Sequence, residues 1–352
     1  VQIIKDIFTD QHFLGAMLAT IVFIVLGYVL SRLGLIKEDG KKAISAIVMK
    51  IAIPCMAFAA FMSDFDPSTF WTNILIFVLE LGLYVSLILL GNLFFLREEK
   101  SKRTVYAIIM ALGQLTFFSI PLLKSIYVNN VSEVLIPASM MTLAFRIALY
   151  FYAFISISGT KLSKETVGPT LKKIFLNPIM IMMLLGLIIW LTQNITWQIQ
   201  VDEASYGFLR IDKTAPMLFK VIEFGDVMAT PLCMILIGST LGEAKFLDAI
   251  KNKTAWILAL LHTFFVPLFV FGICCALEAF GWMHFSEFQL AALVIGMTAP
   301  VSAVVVVFTV QNNKESYVAS DTLFLTTLLC LIAIPAMFAL VKLAMTWPLF
   351  IA

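Results

Sequence analysis

Ten mostly apolar runs, at about 12 to 33, 41 to 62, 71 to 96, 104 to 127, 133 to 157, 175 to 193, 216 to 241, 254 to 280, 288 to 310 and 317 to 345, alternate with short polar or Pro/Gly-containing stretches. A helix that crosses a bilayer needs about 20 such residues. Each run therefore predicts one span, and the expected fold class is an all-α polytopic membrane protein. The first run is too long for a signal-peptide core and lacks a small-residue cleavage site, which predicts a retained span.

Composition sharpens this reading. The chain of 352 residues is 61% hydrophobic and 13% charged, whereas soluble domains carry about a quarter charged residues. A soluble globule is excluded. With a net charge of +2 and its basic residues in short clusters, the chain offers no patch for a phosphate backbone, so no nucleic-acid partner is expected. Cys55, Cys233, Cys274, Cys275 and Cys330 lie in apolar runs without metal-binding spacing. They read as small core residues, and no metal or cofactor is expected. Trp71, Trp197, Trp282 and Trp347 fall near predicted outer span ends and read as interface anchors.

Lys and Arg accumulate in cytoplasmic loops. Sixteen of the 24 fall in alternate loops around Arg32–Lys42, Arg97–Arg103, Lys161–Lys173, Lys245–Lys253 and Lys314. The other side holds Lys5, Lys124, Arg210, Lys213, Lys220 and Lys342, and Lys50 and Arg146 fall within spans. This asymmetry places both termini outside and the central loop in the cytoplasm. It divides the chain into a first five-helix repeat at 1–157, a cytoplasmic linker at 158–174 and a second repeat at 175–352. An odd number of spans per half forces the second half to enter inverted, an arrangement frequent in secondary transporters.

Matched prolines support the symmetry. Pro54 in the second run has a counterpart in Pro231 of the seventh, and Pro121 in the fourth has one in Pro300 of the ninth. Proline removes a backbone donor, and the freed carbonyls are tolerated at bilayer depth only beside protein or a wet cavity. Pro121 and Pro300, with Gln114, Thr116, Ser119, Thr298 and Ser302, thus outline a candidate binding site at two broken helices.

Ionisable residues at membrane depth are functional candidates because insertion costs a few kcal/mol. Lys50 and Asp226 stand at nearly equivalent distances before Pro54 and Pro231, which predicts that they face each other, as a packing pair or as part of a substrate or proton site. Glu223, one turn from Asp226, would then form a carboxylate pair suited to a proton, or lie solvated at the outer mouth. Arg146, followed by Tyr150 and Tyr152, is shaped to hold a carboxylate at two points, or to bridge to Asp321 or Glu80. Asp321 also reads as a wet helix-start residue, and Glu80 is deep. His262 reads as a proton relay or a hydrogen-bonded core residue. The chain has no Gly-x-Ser-x-Gly or His-Glu-x-x-His motif, so an enzyme is not expected.

Several stretches resemble the auxin efflux carrier family, which includes plant PIN carriers and bacterial malate-permease-like proteins. They are Gly27-Tyr28-Val29-Leu30-Ser31-Arg32-Leu33-Gly34-Leu35-Ile36, Ile120-Pro121-Leu122-Leu123-Lys124-Ser125-Ile126-Tyr127, Pro231-Leu232 through Gly238-Ser239-Thr240-Leu241-Gly242, and Thr326-Thr327-Leu328-Leu329-Cys330 through Pro335. The family's bacterial Gly-Asn-x-Gly-Phe-x-Gly-x-Pro motif stands here as Gly113-Gln114-Leu115-Thr116-Phe117-Phe118-Ser119-Ile120-Pro121, and Lys50 replaces a frequent asparagine. The resemblance implies an NhaA-like or bile-acid-transporter-like fold in which helices four and nine cross as broken helices. It implies a scaffold of helices 1, 2, 6 and 7 that forms a homodimer, and a transport part of helices 3–5 and 8–10. It further implies a secondary transporter of the cell membrane that moves a small organic anion, auxin-like or malate-like, by alternating access, with a proton or sodium as possible coupling ion. Rival readings are a cation/proton antiporter, a bile-acid-type sodium symporter, a channel or a non-transporting membrane sensor. An antiporter would be expected to place acidic residues beside its crossing, and neither break has one.

Overall fold

The computed structural model describes residues 11–65, 67–159, 164–202, 204–242 and 246–351. Lys5, Lys161 and Lys245 of the charge pattern, and positions 1–10 and 160–163 of the expected first repeat and linker, lie outside the described residues. Among the described residues seven helices are long and apolar enough to cross a membrane. They are α1 (Gln11–Arg32), α2 (Glu38–Ala59), α3 (Pro67–Phe94), α6 (Val131–Ser158), α10 (Pro216–Leu241), α12 (Lys253–Ala279) and α15 (Ser316–Ala344). The remaining three apolar runs fold as shorter pieces. The sixth is α8 (Pro178–Thr192); the fourth is split into α4 (Lys100–Ala111) and α5 (Leu115–Ile126); the ninth is split into α13 (Glu287–Met297) and α14 (Ala303–Gln311). Connecting these are α7 (Lys164–Phe175), α9 (Ile211–Thr214) and α11 (Phe246–Lys251), and α16 (Pro348–Ile351) follows α15.

Local chemistry sets the starts. Asn177 accepts from the Ile179 N–H with Pro178 in the first turn of α8, Asn252 accepts from the Ala255 N–H at α12, and Ser286 forms a reciprocal capping box with Gln289 at α13. Each cap satisfies donors that the first helical turn leaves unpaired.

Among the described residues four helical stretches widen into π turns, at Val48–Ala52, Leu115–Ser119, Ala148–Phe154 and Leu261–Phe265. In three of them a proline follows two residues after the turn: Pro54, Pro121 and Pro267. The proline ring clashes with the carbonyl four residues back, which is Lys50, Phe117 and Thr263 respectively, each inside the π turn. Widening the turn relieves that clash. Pro121 consequently lies within α5, and the break of the fourth run falls earlier, at Leu112–Gln114. Pro300, by contrast, sits in the break between α13 and α14.

The helices pack in two groups. In one, α1 lies along α10, and α2 packs against both α8 and α10. A methyl at Gly27 or Gly238 would overlap the backbone carbonyl of Ile235 or Ile24, so α1 and α10 touch backbone to backbone. In the other group, α3 packs on α4 and α6, α12 on α13 and α15, and α13 on α6 and α15. The half-helix α5 touches α1 and α10 and so lies between the groups.

A short antiparallel hairpin, β1 (Gln198–Val201) with β2 (Ala204–Gly207), interrupts the all-helical pattern between α8 and α9. The hairpin is followed by Arg210, which is buried and bonded to Asp64 at 2.9 Å, Asp212 at 2.8 Å and Gln193 at 2.5 Å. That cluster ties the loop to the ends of α2 and α8.

Candidate functional site

The two breaks meet. Gly113 and Val301 form an antiparallel bridge, the Gln114 N–H donates to the Pro300 carbonyl at 2.6 Å, and the Ser302 N–H donates to Leu112 at 2.9 Å. Interrupted helices leave backbone groups that must find partners away from water. Here each interrupted chain supplies the other. Side chains complete the crossing: Gln114 Oε1 accepts from the Ala303 N–H at 2.7 Å, Ser119 donates to the Gly296 carbonyl at 2.9 Å, and Thr326 of α15 accepts from the Val301 N–H at 3.1 Å. Thr298 donates to Val294 in its own helix, at 2.7 Å.

Beside the crossing lies a cavity of about 30 Å3 bordered by Gln114, Thr116, Arg146, Tyr150 and Ser302. Arg146 is 4% exposed. Its Nε and the Thr116 hydroxyl have no hydrogen-bond partner, and among the described residues no carboxylate pairs with the guanidinium. The positive ends of α5 and α14 begin at this cavity, at Leu115 and Ala303. A buried cation, an idle hydroxyl and two helix N-termini around one void make a site for a single negative charge. The volume is about one water's share of liquid, so the site holds a carboxylate head and must open for anything larger.

A second cavity of about 290 Å3 also touches Gln114 and runs between Ser45 of α2 and Thr240 of α10 toward the ends that carry the basic loops. On the other side only about 10 Å3 remains among Ile53, Met56, Ile120, Ile179 and Met183. Beyond that apolar layer a cavity of about 370 Å3 is bordered by Asp64, Asn73, Glu133 and Gln289.

Of the expected site residues, Gln114, Thr116, Arg146 and Ser302 come together at the small cavity. Ser119 and Pro300 build the crossing, Thr298 bonds within its own helix and Pro121 lies inside α5; none of the four borders the cavity. The expected charge pairs are rearranged. Asp226 pairs with Lys124 of α5, not Lys50, which is exposed on α2. Glu223 pairs with exposed Lys220 at 2.6 Å. Asp321 accepts from Asn252 at 2.8 Å and does not reach Arg146. Glu80 is fully buried on α3. Sequence reasoning missed the Lys124–Asp226 pair, although Lys124 stands in the Ile120–Tyr127 segment that carried the family resemblance. It also passed over the Arg210 cluster.

No curated protein sequence matches this chain significantly. A family profile described as membrane transport protein matches residues 12–338, nearly the whole chain. With apolar helices enough to cross a bilayer several times and two interrupted segments joined at their breaks, the chain belongs to the membrane transport protein family, which includes the auxin efflux carriers.

Proposed function

We propose that the chain is a secondary carrier for a small organic anion, with the carboxylate bound between Arg146, Thr116, Gln114 and Ser302. The observation that carries this reading is the buried Arg146 guanidinium, which among the described residues has no carboxylate partner. A buried charge left unpaired costs several kcal/mol, so a site that keeps one is built to be completed by a ligand of opposite sign.

The same proposal covers the finer architecture. The helices make ten spans in two inverted repeats, because α1 on α10 mirrors α8 on α2, and α3 on α4 mirrors α12 on α13. The group α1, α2, α8 and α10 is the scaffold and the rest is the transport part. A second copy docks on the scaffold, where Met217, Val221 and Phe224 are exposed. The protein sits in the cell membrane with the basic loops in the cytoplasm and both ends outside. The larger cavity at Gln114 then opens inward, and the apolar layer of Ile53, Met56 and Ile120 closes the outer route.

The test is binding of a panel of mono- and dicarboxylates to the purified protein by calorimetry, paired with saturable uptake into proteoliposomes. Arg146→Gln should lose anion binding by at least about a hundredfold, the worth of a charge-assisted bidentate contact. Full anion affinity in that variant would overturn the assignment.

A further inference from the structure

His262 lies in the π turn of α12, fully buried against the crossing. Its Nδ1 is 2.7 Å from the Met110 carbonyl and its Nε2 is 2.7 Å from the Ala299 carbonyl. Both partners are acceptors only. Met110 belongs to the last turn of α4, and Ala299 follows the end of α13, so the ring spans the negative ends of the two half-helices that lead into the crossing. A neutral imidazole carries one N–H and one lone pair. It can donate to one of these carbonyls, and at the other it sets a lone pair against an oxygen. Only imidazolium donates to both.

We infer that His262 is a proton-binding site, occupied in this arrangement, whose proton fastens the two half-helices together and makes the proton the ion linked to anion binding; this rests on the carrier reading only for its last clause. Protonation takes one proton from water and returns it on release, and only an N–H bond forms or breaks. On the elements packed against this turn, α4, α15 and, through Phe94 on Phe265, α3, and on α12 itself, the ionisable groups are engaged elsewhere or stand apart. Glu80 and Tyr84 lie ten or more residues before Phe94, and Lys253, Cys274, Cys275 and Glu278 lie nine or more residues from His262. Tyr106 donates to Glu315, which also pairs with Lys102; Asp321 accepts from Asn252; Lys342 pairs with Glu287; the Cys330 thiol donates to Thr327. Lys100 and Arg103 lie in the first turn of α4, and Tyr317 in that of α15. Among the described residues no ionisable side chain bonds to the ring, so its charge is balanced by the half-helix ends alone. Loss of the proton frees one of those ends and loosens the frame that holds Gln114 and Ser302. His262 is thus a positioning residue for the anion site.

The chain has three histidines, which makes the test direct. In protein labelled with 15N-histidine, with His12→Gln and His284→Gln used to assign the remaining signal, the His262 ring should show two protonated nitrogens at about pH 6. A ring with one bare nitrogen across the whole range of about pH 5 to 8 overturns the proposal. This readout needs no substrate, so failure of the intact protein to carry anions would sink the carrier reading and leave the proton site standing. A second arm uses malate counterflow in proteoliposomes. The unaltered protein should lose roughly threefold or more in apparent malate affinity as pH rises through the ring's titration, and His262→Gln should show a flat profile. Identical profiles for the two would overturn the link between proton and anion.

Discussion

Lys124 on α5 and Asp226 on α10 pair across the boundary between the two helix groups, and close by the Thr230 hydroxyl donates to the Pro121 carbonyl at 3.3 Å. Both contacts join the half-helix that forms the crossing to a helix of the scaffold. Movement of one group past the other has to break them. Lys124→Gln and Asp226→Asn should each change the rate of exchange, and a charge swap of the two should restore it in part. Counterflow rates in a double-mutant cycle measure this, with a coupling of about 1 kcal/mol expected for residues in contact. Strict additivity of the two single changes would show that the pair plays no part in the motion.

Gln114 offers a prediction about stability as well as binding. Its side-chain oxygen accepts from the Ala303 N–H inside the crossing. Gln114→Leu leaves that buried donor without a partner, which costs about 1–3 kcal/mol. A lowered melting temperature together with weakened anion binding is expected. Thr116→Val, which removes a hydroxyl that bonds to nothing, should weaken binding without the thermal loss.

Much of this was legible in the chain, and the rest was hidden for a physical reason. Run length located the apolar helical segments because bilayer thickness sets it, and Pro300 marked the break of the ninth run, whereas Pro121 lies within α5, after the break of the fourth. Partners were another matter. Lys50 and Asp226 stand at matching distances from Pro54 and Pro231, yet Lys50 lies in a π turn, and one extra residue in a turn rotates what precedes it by about 100°. That rotation is invisible to spacing. The hairpin at Gln198–Gly207 escaped notice because its strands have four residues each, and an alternation as short as Gln198-Ile199-Gln200-Val201 is the least that marks a strand. At the site, Arg146 was found because a deep cation is rare, whereas Ser119 and Thr298 looked like ligand groups and are spent on backbone carbonyls.

Arg210 supplies a test away from transport. Burial works against its charge, but Asp212 and Asp64 outweigh that and hold the guanidinium above the ordinary arginine value. A raised value means that the contribution is fully present below the usual arginine range and is lost only in strong alkali. Stability should therefore show no pH dependence from this group near neutrality. Arg210→Met should cost about 2 kcal/mol by stranding Asp212. Differential scanning fluorimetry should show a lower melting temperature with anion affinity unchanged.

Topology can be read by labelling. Cysteines placed at Asp202 and at Lys100, in a background without the native cysteines, should differ in reaction with an impermeant thiol reagent on intact cells. Asp202→Cys should label and Lys100→Cys should not, because the basic loops face the cytoplasm. The opposite pattern would invert the orientation and, with it, the side to which the larger cavity opens.

The backbone contact of α1 with α10 also governs how this chain can vary. At Gly27 and Gly238 the opposing carbonyl occupies the place of any first side-chain carbon, and every replacement that a change of one base can make there adds at least one atom. Both positions are closed to drift. A few residues away, Leu18, Val25 and Val29 are exposed on the outer face of α1, where lipid accepts any aliphatic shape. A saturation library of α1 should therefore return an uneven landscape, with free exchange among aliphatic residues along one stripe and near-total intolerance at Gly27. The helix inherits its freedom and its constraint from which side of it meets another backbone.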